Sequence, residues 1–506
     1  MRNTFFAFVA LFCLATFPLF GQPVEFIVLQ MNDVYEIAPL EGGKAGGLAR
    51  VATVRQELLK ENPNVITVLA GDFLSPSFLG TMRFENEAGE QEKIAGLQMI
   101  ETLNAMGLDY VTFGNHEFDI KDPDVLAKRI AQSDFQWTVC NAQRVMADGQ
   151  KRPFRQGGAS IPPYILHPIK GENGQEITVG ILGVVLPFNQ IEYVDYAPVN
   201  EAFAATLKEL SPQADFVMGI THLNVDEDEA LAAAVPGVPL FTGGHEHANL
   251  SRYVGTTRIT KADANAKTVY VHRVKVDPDC GMVSVNSTLR TIDDSIADEP
   301  KTLAVVNKWL DRAFEVMEGM GYEPEKEVLR LNETLVCKES AVRTSQTNFG
   351  QLTLAALEDA MPGADVYFIN SGTMRLDDNL DGLVTEYDVL RTYPFGGKVV
   401  RVSLTGKVLQ RALETGLMTN YGEGGYFQVR QVDPTTLTVK GEVIDPGKSY
   451  SVVLPEFVAR GLEANLDFLG QYYDGSGPDD LKVGEDTVRN DIRDLVIHYM
   501  LKIGEY

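Results

Sequence analysis

Short, nearly unbroken apolar runs recur along the first half of the chain, and each one ends in a polar cluster. They are Val24–Leu29, Val65–Ala70, Leu108–Phe113, Ile177–Val185, Ala214–Ile220 and Pro239–Thr242. Runs of this length without strict polar alternation predict strands of a sheet covered on both faces. Phe135–Cys140, Val269–Val276 and Met282–Leu289 add further strand-like pieces. Between the early runs, apolar Leu48, Val51, Val54 and Leu58 recur at helical spacing and predict a helix over Leu48–Lys60, with another over Ala95–Met106. The resulting order of strand, helix, strand, helix, strand predicts an α/β fold.

The polar residues that follow these runs carry the chemistry. Asp33, Asp72, Asn115, His222, His245 and His247 each come just after an apolar strand, where open α/β sheets place their ligands. A lone histidine is most often a surface or hydrogen-bonded residue, but three histidines, two aspartates and an asparagine in matching contexts point to metal binding. Mixed imidazole and carboxylate donors suit Zn, Mn or Fe, a carboxylate such as Asp72 can bridge two ions, and the neutral amide oxygen of Asn115 can complete one shell. Two ions roughly 3.5–4 Å apart can clamp a phosphoryl group and lower the pKa of a bridging water. In the block Gly114-Asn115-His116-Glu117-Phe118-Asp119, His116 is placed to meet a substrate oxygen and Asp119 to orient it. No G-x-S-x-G motif or complete P-loop competes with this reading. The glycine-rich stretch Gly42–Gly47 lacks the GK[ST] ending and is expected to be a plain flexible loop.

Bulk properties narrow the partners. A chain of 506 residues exceeds one ordinary core and predicts two domains. Its formal net charge of -26 excludes a nucleic-acid polymer as partner, since that calls for a basic surface. An acidic protein that handles phosphates must gather metal ions or arginines locally. At the N-terminus, Arg2 and the apolar run Phe5–Phe20 precede Gly21-Gln22, the pattern of a cleaved signal peptide over residues 1–21. The run is shorter than the ~20 residues of a bilayer-spanning helix, so a secreted or periplasmic protein without a stable membrane span is expected. Cys140, Cys280 and Cys337 would remain after cleavage. Cys280 and Cys337 could pair in an oxidising compartment or stay as separate thiols.

The ordered blocks Asn32-Asp33, Gly71-Asp72, Gly114–Asp119, Thr221-His222 and Gly243-Gly244-His245-Glu246-His247 resemble the calcineurin-like metallophosphoesterases of the 5′-nucleotidase and UDP-sugar hydrolase family. The resemblance implies a four-layer αββα catalytic sandwich over 22–292, a linker helix within 293–325 and a smaller α/β substrate-binding domain over 326–506. It assigns Asp33, Asp72 and His247 to one metal, Asp72, Asn115, His222 and His245 to the other, and His116 with Asp119 to catalysis. Tyr35 departs from the pattern, because the family usually has a histidine ligand there. A tyrosine phenolate, as at the ferric site of purple acid phosphatases, would favour Fe(III) at that position; a non-ligand would leave the first site weak or open.

The linker helix is expected over Glu299–Met317, where Leu303, Val306, Leu310 and Phe314 form an apolar stripe. Beyond it, a helix opens at Thr347–Leu352, a strand at Val366–Ile369, and the segments Asn370–Arg375, Tyr393–Gly397 and Pro455–Gly461 resemble the family's substrate domain. By that likeness Phe395 and Phe457 sandwich the base, Arg375 binds phosphate and Asn370 is its polar neighbour. On the residues alone, two phenylalanines read as core and Arg375 as a surface ion pair. Two departures stand out: the family's extra arginine is not found near Met361-Pro362-Gly363, and Leu462–Asp467 replaces a Gly-Gly-Asp-Gly segment, with Glu463 in place of its aspartate. The function implied is a secreted dinuclear-metal phosphohydrolase releasing phosphate from nucleoside 5′-monophosphates. The alternatives are the same chemistry on 2′,3′-cyclic nucleotides, nucleotide sugars or a sulfur ester, or a nucleotide-binding protein with weakened catalysis.

Overall fold

A computed structural model describes residues 23–85, 89–172, 174–376, 378–475 and 477–506. The signal-peptide segment and its cleavage point lie outside the described residues. The N-terminal domain is built on two six-stranded sheets. The first contains β1 (Val24–Met31), β2 (Val65–Leu69), β3 (Tyr110–Val111) and β4 (Gln136–Trp137). The second contains β5 (Tyr164–Lys170), β6 (Glu176–Val185), β7 (Phe216–His222), β8 (Leu240–Gly243), β9 (Leu250–Val254) and β10 (Thr257–Lys261). The chain then returns to the first sheet with β11 (Thr268–Val276) and β12 (Val283–Thr291), giving the order β12-β11-β1-β2-β3-β4, against β5-β6-β7-β8-β10-β9 in the second.

The doubly apolar strands explain the layering. Along β1, Val24, Phe26 and Val28 face a core shared with Ile177, Val179, Ile181, Phe216, Met218 and Ile220 of the second sheet. The alternate residues Ile27, Leu29 and Met31 pack instead with Leu48, Val51 and Leu58 of α1 (Leu48–Glu61). Successive side chains of a strand point to opposite faces, so a strand apolar at every position must be covered on both. The two sheets therefore pack face to face with helices outside. β1, β2, β3 and β4 run parallel, as do β6, β7, β8 and β10, which carries the polar strand ends of each sheet to one edge.

Local boundaries shift where side chains take over backbone bonding. The run Leu108–Phe113 pairs as a strand only at Tyr110–Val111, because the Asp109 carboxylate accepts the Thr67 N–H at 2.8 Å. Phe135–Cys140 likewise contributes only Gln136–Trp137. The second helix, α2, begins at Leu97 and ends at Met106, since Ala95 and Gly96 both have positive φ. The glycine-rich loop is not a loose one: the Arg50 guanidinium donates to Gly43 O at 2.7 Å and Gly46 O at 3.2 Å. Cys140, Cys280 and Cys337 are all free thiols, with Cys337 buried and Cys280 exposed.

The linker helix α3 (Pro300–Gly319) starts at Glu299, whose carboxylate accepts from the Lys301 and Thr302 N–H groups. Such a cap satisfies donors that the first turn cannot. Its Trp309 is fully buried, donates to Glu101 Oε2 at 2.9 Å and meets Phe84 edge-on, which seats the helix on the N-terminal domain. Phe314 on the same helix touches Tyr387 of the C-terminal domain. That domain is organised on a four-stranded sheet of β13 (Val366–Asn370), β14 (Val399–Thr405), β15 (Phe427–Arg430) and β16 (Ser449–Pro455), in the order β14-β16-β13-β15.

Candidate active site

The polar ends of five strands meet at one edge of the double sheet. Asp72, His222 and His245 offer one ligand atom each, all within 4.8 Å of one another, and Asp33, Asp72 and His247 form a second such group. The two groups share Asp72. Asn115 joins the first group, its Oδ1 lying 3.2 Å from His222 Nε2. Asp33 and Asp72 are buried, and their ion-pair partners are the imidazoles of His222 and His247. Two buried carboxylates facing each other across imidazoles make a donor set that fits divalent or trivalent cations.

Backbone conformation is committed to this arrangement. Asp33, Asp72, His245 and His247 all have positive φ, at 52°, 57°, 93° and 57°. Left-handed backbone is costly for residues other than glycine and gathers where a surrounding structure over-determines it for function. Glycines permit the close approach. A Cβ at Gly71 would lie 2.3 Å from the Gly114 nitrogen, and one at Gly114 would lie 2.1 Å from Asp72 Oδ1.

Glu117 holds these two turns together. Its fully buried carboxylate accepts from the Asp72 N–H at 2.9 Å and the Gly114 N–H at 2.6 Å through Oε2, and from Phe73 and Leu74 N–H at 2.8 and 3.0 Å through Oε1. Burial first, and then the charge on Asp72, push its carboxyl up to about 7 against the four N–H donors. His222 is oriented from behind, with Nδ1 against Ala70 O at 2.7 Å, so that Nε2 faces Asp72 and Asn115. Burial and the neighbouring His222 push the His245 imidazole down to about 3.

His116 Nδ1 lies 2.7 Å from Asp119 Oδ2, which leaves Nε2 as the ring nitrogen for a substrate oxygen. Burial opposes its charged form, but the carboxylates of Asp72 and Asp119 outweigh that and raise its pKa. Asp119 is itself held: Asn189 Nδ2 donates to its Oδ1 at 2.9 Å and to Asn115 O at 2.7 Å, and Ser75 Oγ donates to its Oδ2 at 3.2 Å. Tyr35 is buried, its hydroxyl 3.2 Å from Asp72 Oδ2 and 3.0 Å from His247 Nε2. Burial, then Asp72, Asp33 and Glu339, push its phenol well above the usual range. A phenolate there therefore requires a bound cation as counter-charge.

The C-terminal residues fall into two groups. Arg375 Nη1 lies 3.2 Å from Glu339 Oε1, and Glu339 Oε2 lies 3.3 Å from His247 Nδ1, so Arg375 is brought to the metal-ligand cluster through a residue of its own domain. Asn370 Nδ2 instead donates to Glu463 Oε2 at 2.6 Å. Phe395 is 63% exposed and Phe457 49% exposed, so neither is a core residue. Although no arginine was found near Met361, Arg343 supplies a second guanidinium beside Arg375 by pairing with the same Glu339.

Four contributors escaped the sequence reading. Glu117 stood inside the Gly114–Asp119 block, and Asn189 just past the end of β6, so both carried a positional signal. Glu339 and Arg343 stand on one short helical turn and its cap (Glu339–Val342, capped by Arg343), preceded only by the two-residue strand Leu335–Val336, too short a run to mark a strand end in the sequence.

Comparison with known proteins agrees with this construction. Residues 26–249 match the family model for calcineurin-like phosphoesterases, and residues 328–468 match that for the 5′-nucleotidase C-terminal domain. The chain is 24% identical over 514 aligned residues to the 5′-nucleotidase of Bos taurus, covering 87% of this chain and 84% of that protein. Among solved structures, the 5′-nucleotidase precursor of Thermus thermophilus aligns with a TM-score of 0.71 at 19% identity, covering 95% of this chain and 97% of the other. Sulfate thiohydrolase SoxB of the same organism aligns with a TM-score of 0.64 at 15% identity, covering 95% and 94%. The two matched domains, in this order, place the chain in the calcineurin-like metallophosphoesterases of the 5′-nucleotidase family, hydrolases of phosphoric ester bonds.

Proposed function

We propose that the protein is a secreted 5′-nucleotidase that releases phosphate from nucleoside 5′-monophosphates with two metal ions. Two ligand groups that share Asp72 beside the His116–Asp119 pair carry this reading. Asp33, Asp72 and His247, with Tyr35 at their edge, would hold one ion, and Asp72, Asn115, His222 and His245 the other. When bound, the ions supply charge to the phosphoryl oxygens and acidify an attacking water.

The protein's own groups do the rest. His116, kept in one tautomer by Asp119, presents Nε2 to the phosphoryl or leaving oxygen and holds a proton there as charge develops. Arg375, with its planar fork, is suited to phosphate oxygens. Phe395 and Phe457 stand exposed for stacking on a base, and Asn370 and Glu463 form a polar pair for the nucleoside. Phosphate release from AMP, chromatographic detection of the nucleoside monophosphate formed from a 2′,3′-cyclic nucleotide or a nucleotide sugar, and sulfate release from a thiosulfate ester together test the assignment. A higher kcat/KM on AMP than on the other three is expected. Preference for the sulfur ester would overturn the nucleotide reading while leaving the metal chemistry in place.

A further inference from the structure

His222 and His247, one from each of the two ligand groups that share Asp72, are oriented in different ways. His222 turns Nε2 toward the ligand cluster because Nδ1 is held by Ala70 O, a backbone group of the same domain. His247 also turns Nε2 inward, 3.0 Å from the Tyr35 hydroxyl and 3.6 Å from Asp33 Oδ1. Its Nδ1, however, meets Glu339 Oε2 at 3.3 Å, and Glu339 belongs to the C-terminal domain. We propose that Glu339 is a positioning residue for the metal site: its carboxylate accepts from the Nδ1–H of His247 across the domain boundary and so fixes the tautomer that presents Nε2 to the metal.

The surroundings suit that task. The Glu339 side chain is 12% exposed and is paired on its other oxygen with Arg375 and Arg343. Both guanidiniums meet Oε1, and Oε2 is the oxygen turned to His247. It thus remains an acceptor, and an imidazole that donates one N–H to a carboxylate is a more basic and better-aligned ligand through the other nitrogen. Because Glu339 and Arg375 travel with the same domain, the grip on His247 and the phosphate-binding guanidinium arrive together. The first metal would be held at full strength only with the domains in this arrangement, whereas the His222 side carries its support within its own domain.

The inference rests on the metal assignment made above, and its test separates the two. Manganese binding to the full-length chain is titrated calorimetrically for wild type, Glu339→Ala and Glu339→Gln, and 15N chemical shifts of labelled histidine are read in the metal-free proteins near neutral pH. Wild type should bind two ions. Glu339→Ala should weaken one of the two by about ten- to a hundred-fold and move the His247 resonances from a single Nδ1–H tautomer to a mixture. Glu339→Gln, whose amide oxygen still accepts from Nδ1, should stay within about threefold of wild type. Unchanged affinity and tautomer in Glu339→Ala overturn the inference, as does an equal loss in Glu339→Gln, which would assign the effect to the arginine pairing. Failure of wild type to bind two ions would instead overturn the metal assignment itself.

Discussion

The cluster of ligand-type side chains at the strand ends of the N-terminal domain and the exposed aromatic residues of the C-terminal domain are built from different materials. The first is buried and cross-braced: Asp33, Asp72, Asn115 and His222 are hardly exposed, and Glu117 alone joins four backbone donors around them. The second leaves its aromatic residues open, with Phe395 and Phe457 about half or more exposed. Ions and an in-line attack need positions fixed to fractions of an ångström, which strand ends and buried hydrogen bonds supply. A flat base needs only two faces, and those can stand on loops. The comparison teaches that substitutions on the first surface should strike turnover or folding, while those on the second should strike binding.

The sharpest way to break this contrast is at Asn115 and His116, in the turn between β3 and Asp119. Asn115→Ala and His116→Ala should each lower kcat by about 10²–10⁴-fold with the KM for AMP little changed, as read by phosphate release; a wild-type kcat in either would dissolve the distinction. Next in size is Glu117→Ala, which strands four buried N–H groups and should cost roughly 3 kcal/mol or more of stability, visible as a lower denaturant midpoint in chemical unfolding. Phe395→Ala should be milder and of the opposite kind: a KM raised about tenfold with kcat within about threefold of wild type. A collapse of kcat there would show that the aromatic loop shares the rigidity of the catalytic edge.

The smallest effect at neutral pH is expected from His272, which sits fully buried in β11. Its Nε2 donates to Gln30 Oε1 at 3.0 Å and its Nδ1 accepts from Ser287 Oγ at 2.7 Å, bonding that suits the neutral ring. Burial, aided by Arg258, pushes its pKa down from 6.5 to about 3. The unfolded chain therefore binds a proton that the native state refuses between those values, so the histidine's contribution is present above pH 6.5 and is lost as pH falls toward 3. His272→Gln should leave stability at about pH 8 nearly unchanged relative to its own acid limb and flatten the loss between pH 6.5 and 3, as followed by urea midpoints across pH. His245, also held down to about 3, lies in the same domain, so this loss at acid pH is expected mainly in the N-terminal domain.

Much of the N-terminal half was legible because its signals are local. An apolar run marks a doubly covered strand, and the next polar residue is then fixed at its carboxyl end, which makes Asp33, Asp72, Asn115, His222, His245 and His247 legible from the sequence alone. Strand lengths were less legible: Leu108–Phe113 shrank to two paired residues because Asp109 replaces a backbone partner. The glycine loop before α1 looked loose because nothing local shows that Arg50 ties it down. In the C-terminal half, exposed phenylalanines and buried ones have the same local pattern, so their roles came from resemblance and not from periodicity.

The sequence by itself determined the succession of strands along the chain, the kind of chemistry at their ends and an acidity that argues against a polymeric nucleic-acid partner. These follow from side-chain period and residue type, which are properties of neighbours along the chain. Only the tertiary structure decided that Tyr35 lies between Asp72 and His247, that Asn189 steadies Asp119, and that Glu339 joins His247 to Arg375 and Arg343. Such pairings bring together residues from separate elements and, for Glu339, from separate domains. Their distances are set by how the sheets and the linker helix pack, so the tertiary structure alone could place them.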